Sequence, residues 1–486
     1  MVASTVRRRR NPEAEEPHKL STSINLSEIM GEGLRLEASA YNIDARAAVD
    51  AMIAAKLLLQ PIFGQRGLCN DAPKPIRTTR RWVEPDYGVP FLSSSDIISI
   101  RPQADSYISR AKTRRLSELI IKPWDVLISR SGTVGNVGLA SATFVGNALS
   151  EDAIRLRATK PEIAAYAAAF LRSRYGRPQI IQATYGSVIK HIEPEHLARV
   201  LIPDLGEPGV SIGERVIKAY QLRDEANALL DSANRMLHER LGLPKISLET
   251  PQGPVVVCVR ASQVSGRFEG NYHNPLVSQV EHTLSKVNTI PLSDRRITSV
   301  IRAVTKFRKR VYVRRGGIPM LSSKQLLQID PVDVKGLAKG AHTKDLPEIA
   351  LKKEMITVSC SGTIGRVQII PAYMEGWSAN QHALRVIAAD GINAGFLYTW
   401  LASSYGQTLI RRCSYGSVIL EIDREMLGSI PVPYPEASIR SAIGDPVLTA
   451  NGLRDEAWKL ERQAIDDLET AIDSRVPLSM WRQIKL

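Results

Sequence analysis

At 486 residues the chain is too long for one compact core, and two large units plus a smaller one is the expectation. Lys and Arg number 64 against 50 Asp and Glu, a formal charge of +14 that favours a polyanionic partner, nucleic acid first. Cys69, Cys258, Cys360 and Cys413 stand too far apart for a metal knuckle or a disulfide framework, and no apolar run nears the roughly 18 residues that span a bilayer, so a cytoplasmic protein without a membrane partner is expected.

Residues 1–33 read as a basic, polar arm: Arg7 to Arg10 are followed by Glu13, Glu15 and Glu16, with no apolar stretch to make a secretory signal. Beyond the arm the chain repeats itself. Ser131-Gly132-Thr133-Val134-Gly135 returns as Ser361-Gly362-Thr363-Ile364-Gly365, and Tyr185-Gly186-Ser187-Val188-Ile189 as Tyr415-Gly416-Ser417-Val418-Ile419, both at an offset of 230. Val89 to Ser94 pairs with Ile318 to Ser323 at 229, and Leu222-Arg223-Asp224-Glu225-Ala226 recurs whole as Leu453-Arg454-Asp455-Glu456-Ala457 at 231. Slips of one residue are what single insertions in surface loops produce. The stretch from Ala47 to Arg81 aligns poorly with Val277 to Arg310.

In each copy a short apolar strand, Val126 to Ser129 or Ile356 to Ser359, enters the Ser-Gly-Thr turn, and a second strand leaves from Val137 or Val367. That pattern predicts a hairpin whose glycines take positive φ. Ala164 to Arg172 and Ala394 to Ser403 read as short helices. A charged helical stretch follows each mixed region. In the first, Ala219, Leu222, Ala226, Leu229, Ala233 and Met236 form a heptad seam bounded by Pro208 and Pro244. In the second, Leu453, Ala457, Leu460 and Ala464 do the same. Two like halves related by a two-fold axis would run these helices antiparallel, as a spacer roughly 45–50 Å long beside a B-DNA turn of about 34 Å.

The sites of chemistry that can be sought in sequence do not emerge. Asn274-Pro275 lacks the second proline of a methyltransferase motif, and Gly64-Gln65-Arg66-Gly67 has the wrong spacing for a cofactor turn. No P-loop occurs. His191 and His196 flank Glu193 and Glu195, but Pro194 between them argues for a turn rather than a zinc helix. Ser131 and Ser361 lack the flanking glycines of a nucleophile elbow and read as turn residues. His382 stands opposite Asp152 in the repeat, a point where the copies diverge.

Basic residues gather instead where DNA phosphates could be met. The first half offers Arg77, Arg80 and Arg81 beside Trp82, then Arg110, Lys112, Arg114 and Arg115. The second carries nine basic and no acidic residues from Arg295 to Arg315, among them Arg302, Lys306, Arg308, Lys309, Arg310, Arg314 and Arg315, interleaved with Phe307 and Tyr312. Residues identical in both copies, such as Tyr185, Ser187, Tyr415 and Ser417, suit fold or backbone contact. Sequence selection belongs where the copies differ.

From about Leu34 to about Ala471 the doubled Ser-Gly-Thr hairpin, the doubled Tyr-Gly-Ser-Val-Ile segment, the strand exits at Pro203 and at Pro431 to Pro433, and the helix after each resemble the specificity subunit of type I restriction-modification systems. The resemblance implies an α+β protein of two tandem target recognition domains, each a mixed sheet with short helices followed by a long helix, the helices pairing as an antiparallel coiled coil. The expected divisions are 34–207 and 246–436 for the domains, 208–245 for the first spacer helix, and 437–486 for the second with its tail. It further implies a non-catalytic subunit that binds a bipartite, asymmetric site on double-stranded DNA. Two adenine-specific methyltransferase subunits would join it, with S-adenosylmethionine bound in them and no cofactor or metal in this chain, and a restriction or translocase subunit later. The alternatives are a recognition subunit of another methylation-associated phage-defence system and a self-contained DNA-modifying enzyme.

Overall fold

The structure, a computed structural model, describes residues 23–31, 35–73, 76–186, 190–246, 256, 258–261, 264, 267–304, 310–313, 315–331, 333–416 and 418–477. Its two halves share most of their elements, in the same order. Each opens on a helix (Ile43–Ala54, Pro275–Leu284) and a three-residue strand (Leu59–Pro61, Thr289–Pro291). That strand pairs antiparallel with the proline-bearing strand before the long helix, Leu59 facing Pro203 in one half and Thr289 facing Pro433 in the other. The opening segment therefore repeats in structure although its residues have drifted.

Two further sheets make up each domain. One joins Trp82–Val83, Tyr107–Ser109, Gly88–Leu92 and Ala148–Leu149, matched by Tyr312–Val313, Lys335–Leu337, Ile318–Leu321 and Ser378–Ala379. The other holds the predicted hairpins: Val126–Ser129 pairs with Val137–Leu139, and Ile356–Ser359 with Val367–Ile369. The second domain extends this sheet with Thr298–Arg302, where the first has only a bridge between Asp71 and Arg157. Helices Pro161–Arg172 and Ala394–Ala402 lie where the repeat predicts them, most of their residues buried.

The long helices, Glu207–Arg240 and Ala437–Asp473, have 34 and 37 residues and pack along each other. They run antiparallel: Arg215 meets Asp467, Arg223 meets Glu461 and Arg454 meets Asn227. Pro208 sits inside the first turn rather than ahead of the helix, where its missing N–H costs no hydrogen bond. The heptad seam is corrected. Ala219, Leu222 and Ala457, with Leu453 and Leu460 partly buried beside them, form the helix–helix contact. Farther on, Leu230 and Leu237 are buried, whereas Leu229 and Met236 are half-buried.

The reason is that each helix serves two cores. Ile212, Val216 and Tyr220 pack into the first domain, but Ala226, Leu230, Ala233 and Leu237 pack into the second. Reciprocally, Ile443, Val447 and Ala450 pack into the second domain, while Ala464, Ile465, Leu468 and Ile472 reach the first. The buried stripe follows whichever body the helix meets rather than one continuous seam. The domains also touch directly, Ile100 N donating to Leu327 O at 2.8 Å and Ile329 N to Ile98 O at 2.7 Å, a reciprocal pair such as a pseudo-two-fold axis generates. The helices are thus not the sole link between domains.

Glycines set the approach of the long helices to their domains. A Cβ on Gly213 would lie 2.1 Å from Glu162 O, and one on Gly444, its repeat equivalent, 2.1 Å from Asn393 Oδ1. Gly213→Ala is expected to lower stability by about 1–3 kcal/mol through forced displacement of backbone, read as a shift in the urea midpoint. Gly452→Ala, with nothing nearby, should raise stability slightly instead.

Candidate nucleic-acid interface

The Ser-Gly-Thr turn is built the same way twice. Gly132 and Gly135 have φ of 74° and 93°, Gly362 and Gly365 of 76° and 84°, conformations that L side chains rarely adopt. The preceding serine, buried at the strand end, clasps the turn: Ser129 Oγ donates to Thr133 O and Ser359 Oγ to Thr363 O, each at 2.6 Å. Beside each turn lies the tyrosine that opens the Tyr-Gly-Ser-Val-Ile segment, Tyr185 or Tyr415. Ser131 and Tyr185 bridge to His191, and Ser361 and Tyr415 to Glu421, so motifs well separated along the chain share one surface in each domain. Ser187, Val188, Ile189 and Ser417 lie outside the described residues.

Ser131 Oγ is 2.9 Å from His191 Nδ1, but the matching pair is Ser361 with Glu421, so no shared nucleophile and base emerges. His196 Nδ1 accepts from Glu193 N at 3.2 Å and caps the single helical turn Pro194–Leu197. Among the described residues no group of three His, Cys, Asp or Glu could hold a metal ion. Burial pushes the Cys69 thiol up to about 12 and those of Cys360 and Cys413 up to about 11, which leaves them protonated.

The two basic clusters of the first domain, separate in sequence, meet on the small sheet. Ser109 N donates to Arg81 O, Trp82 pairs with Ile108, and Arg110 Nε donates to Gly88 O at 2.8 Å. Arg77, Arg81, Arg110, Lys112 and Arg114 are exposed there, and Trp82 stands half out of the surface. Arg115 is exposed but paired with Glu118, and Arg80 is tied to Glu151 at 2.8 Å while lying over the Phe91 ring. The second domain repeats this frame: Ala338 N donates to Val311 O, and Tyr312 pairs with Leu337.

Arg310 occupies the place of Arg80 and bonds Gln381, the repeat equivalent of Glu151, at 2.5 Å. Arg302 is half-buried, donating to Pro347 O at 3.2 Å, and Arg315 is exposed. Lys306, Arg308, Lys309 and Arg314 lie outside the described residues, as does Phe307.

Three exposed lysines escape the sequence reading. Lys335, whose ammonium sits 5.3 Å from the Tyr312 ring centroid, opens the strand that matches Tyr107–Ser109, and Lys339 and Lys344 follow it, so they take the side occupied by Arg110 to Arg115 in the first domain. Aligning that strand across the repeat would find them. Also missed are Arg155 and Arg385, equivalent positions of the repeat and both fully buried, which donate to backbone carbonyls, Arg155 to Leu119 O and Arg385 to Ala383 and Ala379 O. Burial depresses both guanidiniums, Arg385 to about 10. They hold loops in place and do not face a ligand.

Two like domains, each with a basic rim around a small sheet and joined by crossed antiparallel helices, define a double recognition module. Residues 295–445 match the family described as "Type I restriction modification DNA specificity domain". The first half repeats most of the elements of the matched half, so the likeness to that domain extends to both halves of the chain. Among solved structures, the S subunit of a type I restriction-modification system from M. genitalium aligns at 13% identity and a TM-score of 0.34, over 86% of this chain and 99% of that one. The HsdS subunit from Thermoanaerobacter tengcongensis aligns at 13% and 0.27, over 84% and 98%. No curated protein matches. Among the described residues no helix is long and apolar enough to cross a membrane.

Proposed function

We propose that the chain binds one duplex through both domains at once and reads a bipartite, asymmetric target, positioning two adenine-specific methyltransferase subunits, and a restriction subunit after them, on that site. The observation that carries this reading is the repeated basic frame with unlike side chains on it. Both domains hold an arginine at the position of Arg80 and Arg310, yet its partner is Glu151 in one and Gln381 in the other, and exposed arginines in the first are lysines in the second. Shared positions suit phosphate contact, which carries no sequence information; unlike ones suit base readout, so the two half-sites would differ. Arg77, Arg81, Arg110, Lys112 and Arg114 are the phosphate-contact candidates of the first domain, with Lys335, Lys339, Lys344 and Arg315 for the second. S-adenosylmethionine would be bound by the partner subunits.

The test is binding of the full chain, with its methyltransferase partner, to duplex DNA over a range of salt. The logarithm of the affinity should fall linearly with the logarithm of salt concentration, with a slope of several units. A salt-independent affinity, or methyl transfer by the purified chain alone, would overturn the proposal.

A further inference from the structure

Where the long helices pack together the repeat places two arginines around one cavity. Arg223 and Arg454, each the second residue of the doubled Leu-Arg-Asp-Glu-Ala segment, are buried where the long helices cross. The cavity they line, about 10 Å³ and sized for one small occupant, is completed by the repeat pair Ile100 and Ile329 and, where the first half has Thr143 and Asn227, by Tyr373 and Trp458, stacked at 4.9 Å.

The two arginines are not balanced alike. Arg223 Nη2 meets Glu461 Oε2 at 2.5 Å, and Glu461 also takes Arg172. At the offset that carries one Leu-Arg-Asp-Glu-Ala segment onto the other, the position mirroring Glu461 is Leu230. Arg454 therefore has no such carboxylate. Its Nη2 reaches the neutral Asn227 Oδ1 at 3.3 Å, the Tyr398 hydroxyl is a second neutral neighbour, and the adjacent Asp455 is turned to the Tyr373 amide at 2.8 Å. Among the described residues no carboxylate lies within ion-pair distance of Arg454, and Arg454 Nε and Nη1 and Arg223 Nη1 find no acceptor. A buried guanidinium with no carboxylate partner is a costly arrangement, and a cavity lined by two arginines, each with an N–H group that lacks an acceptor, selects a negative occupant over a neutral one.

The geometry points to a binding site for a single monatomic halide, chloride in the cell, held between Arg223 and Arg454 at the junction of the two domains. The ion replaces the carboxylate that the second half of the repeat lacks. It fixes the helix crossing and the direct contact between domains, and so the relative placement of the two DNA-reading faces.

The test uses the full chain crystallised in sodium bromide, with data collected at the bromine absorption edge, and thermal unfolding in bromide or chloride against gluconate at equal ionic strength. The expected results are an anomalous peak in the cavity and a Tm higher by about 2 °C or more in halide. In Arg454→Met, which removes the unbalanced cation while filling similar space, both the peak and the halide dependence should vanish. Water without anomalous signal at that place, or a peak with no halide dependence of Tm, which would mean binding at crystal concentration only, overturns the proposal. So does halide dependence that survives Arg454→Met with no peak in the cavity.

Discussion

Glu461→Gln is expected to cost about 3–5 kcal/mol of folding stability, because it strips the shared carboxylate from two buried guanidiniums, leaving Arg223 without a carboxylate and Arg172 with only a partly exposed one. Glu461 is 2% exposed, Arg172 6% and Arg223 7%, so little solvent screening softens the loss. Arg172 also reaches Asp330 at 3.2 Å, but Asp330 is about one-third exposed and cannot replace Glu461 for Arg223. Replacing all three residues by apolar ones (Arg172→Met, Arg223→Met, Glu461→Leu) should recover most of the loss, since the triad then holds no unpaired buried charge.

The same residue gives a pH signature. Burial would raise the Glu461 carboxyl, but Arg172 and Arg223 outweigh it and hold it near 2, below its ordinary 4.5. A depressed carboxyl contributes stability that is fully present above about pH 4.5 and is lost as pH falls through the folded value near 2. Urea midpoints of the parent chain and Glu461→Gln should therefore differ most above pH 5 and converge toward pH 2. A difference below about 1 kcal/mol at pH 7 would show that the triad is not what locks the second long helix to the first domain.

The second large effect falls on DNA. Changing Arg77, Arg81, Lys112 and Arg114 together to Gln should leave Tm within a degree or so, because all four are exposed and Arg81 bonds through its main chain. Each phosphate that is no longer neutralised should flatten the slope of log affinity against log salt by about 0.9, so a reduction of roughly 3–4 is expected, with at least a tenfold weaker complex at moderate salt. Arg80 and Arg115 are left out because Glu151 and Glu118 hold them. If the slope is unchanged, the basic rim of the first domain is a solvated face and DNA lies elsewhere.

The parts of this molecule governed by local chemistry are legible in its sequence. The hairpins are, because a Ser-Gly-Thr turn needs glycines at positive φ and both copies keep them. The antiparallel helices follow from the repeat alone. The strand pairing of Leu59–Pro61 with Leu201–Pro203 is not legible, since strands so short show no periodicity and the partners stand at opposite ends of the domain's sequence. Nor is the shift from Leu229 and Met236 to Leu230 and Leu237, because a heptad pattern gives the helix a single face where it in fact passes from one domain's core to the other's.

At the interface, clusters found by charge fare unevenly. Two in the first domain converge on one sheet, a long-range consequence of Trp82 pairing with Ile108. In the second, Lys335, Lys339 and Lys344 are too sparse to stand out beside dense runs of arginine, although the repeat places them. Arg155 and Arg385, which composition would assign to the surface, are interior fasteners whose only sequence sign is their shared register.

The most direct measurement is the adenine methylome of a cell carrying the cognate methyltransferase, with this gene intact, deleted, or altered in one domain only. Two unlike readers on one frame predict that deletion abolishes a single bipartite motif of two different half-sites, and that exchanging one domain changes one half-site and leaves the other. A methylome indifferent to the gene, or a motif whose halves both change when one domain is exchanged, would contradict it.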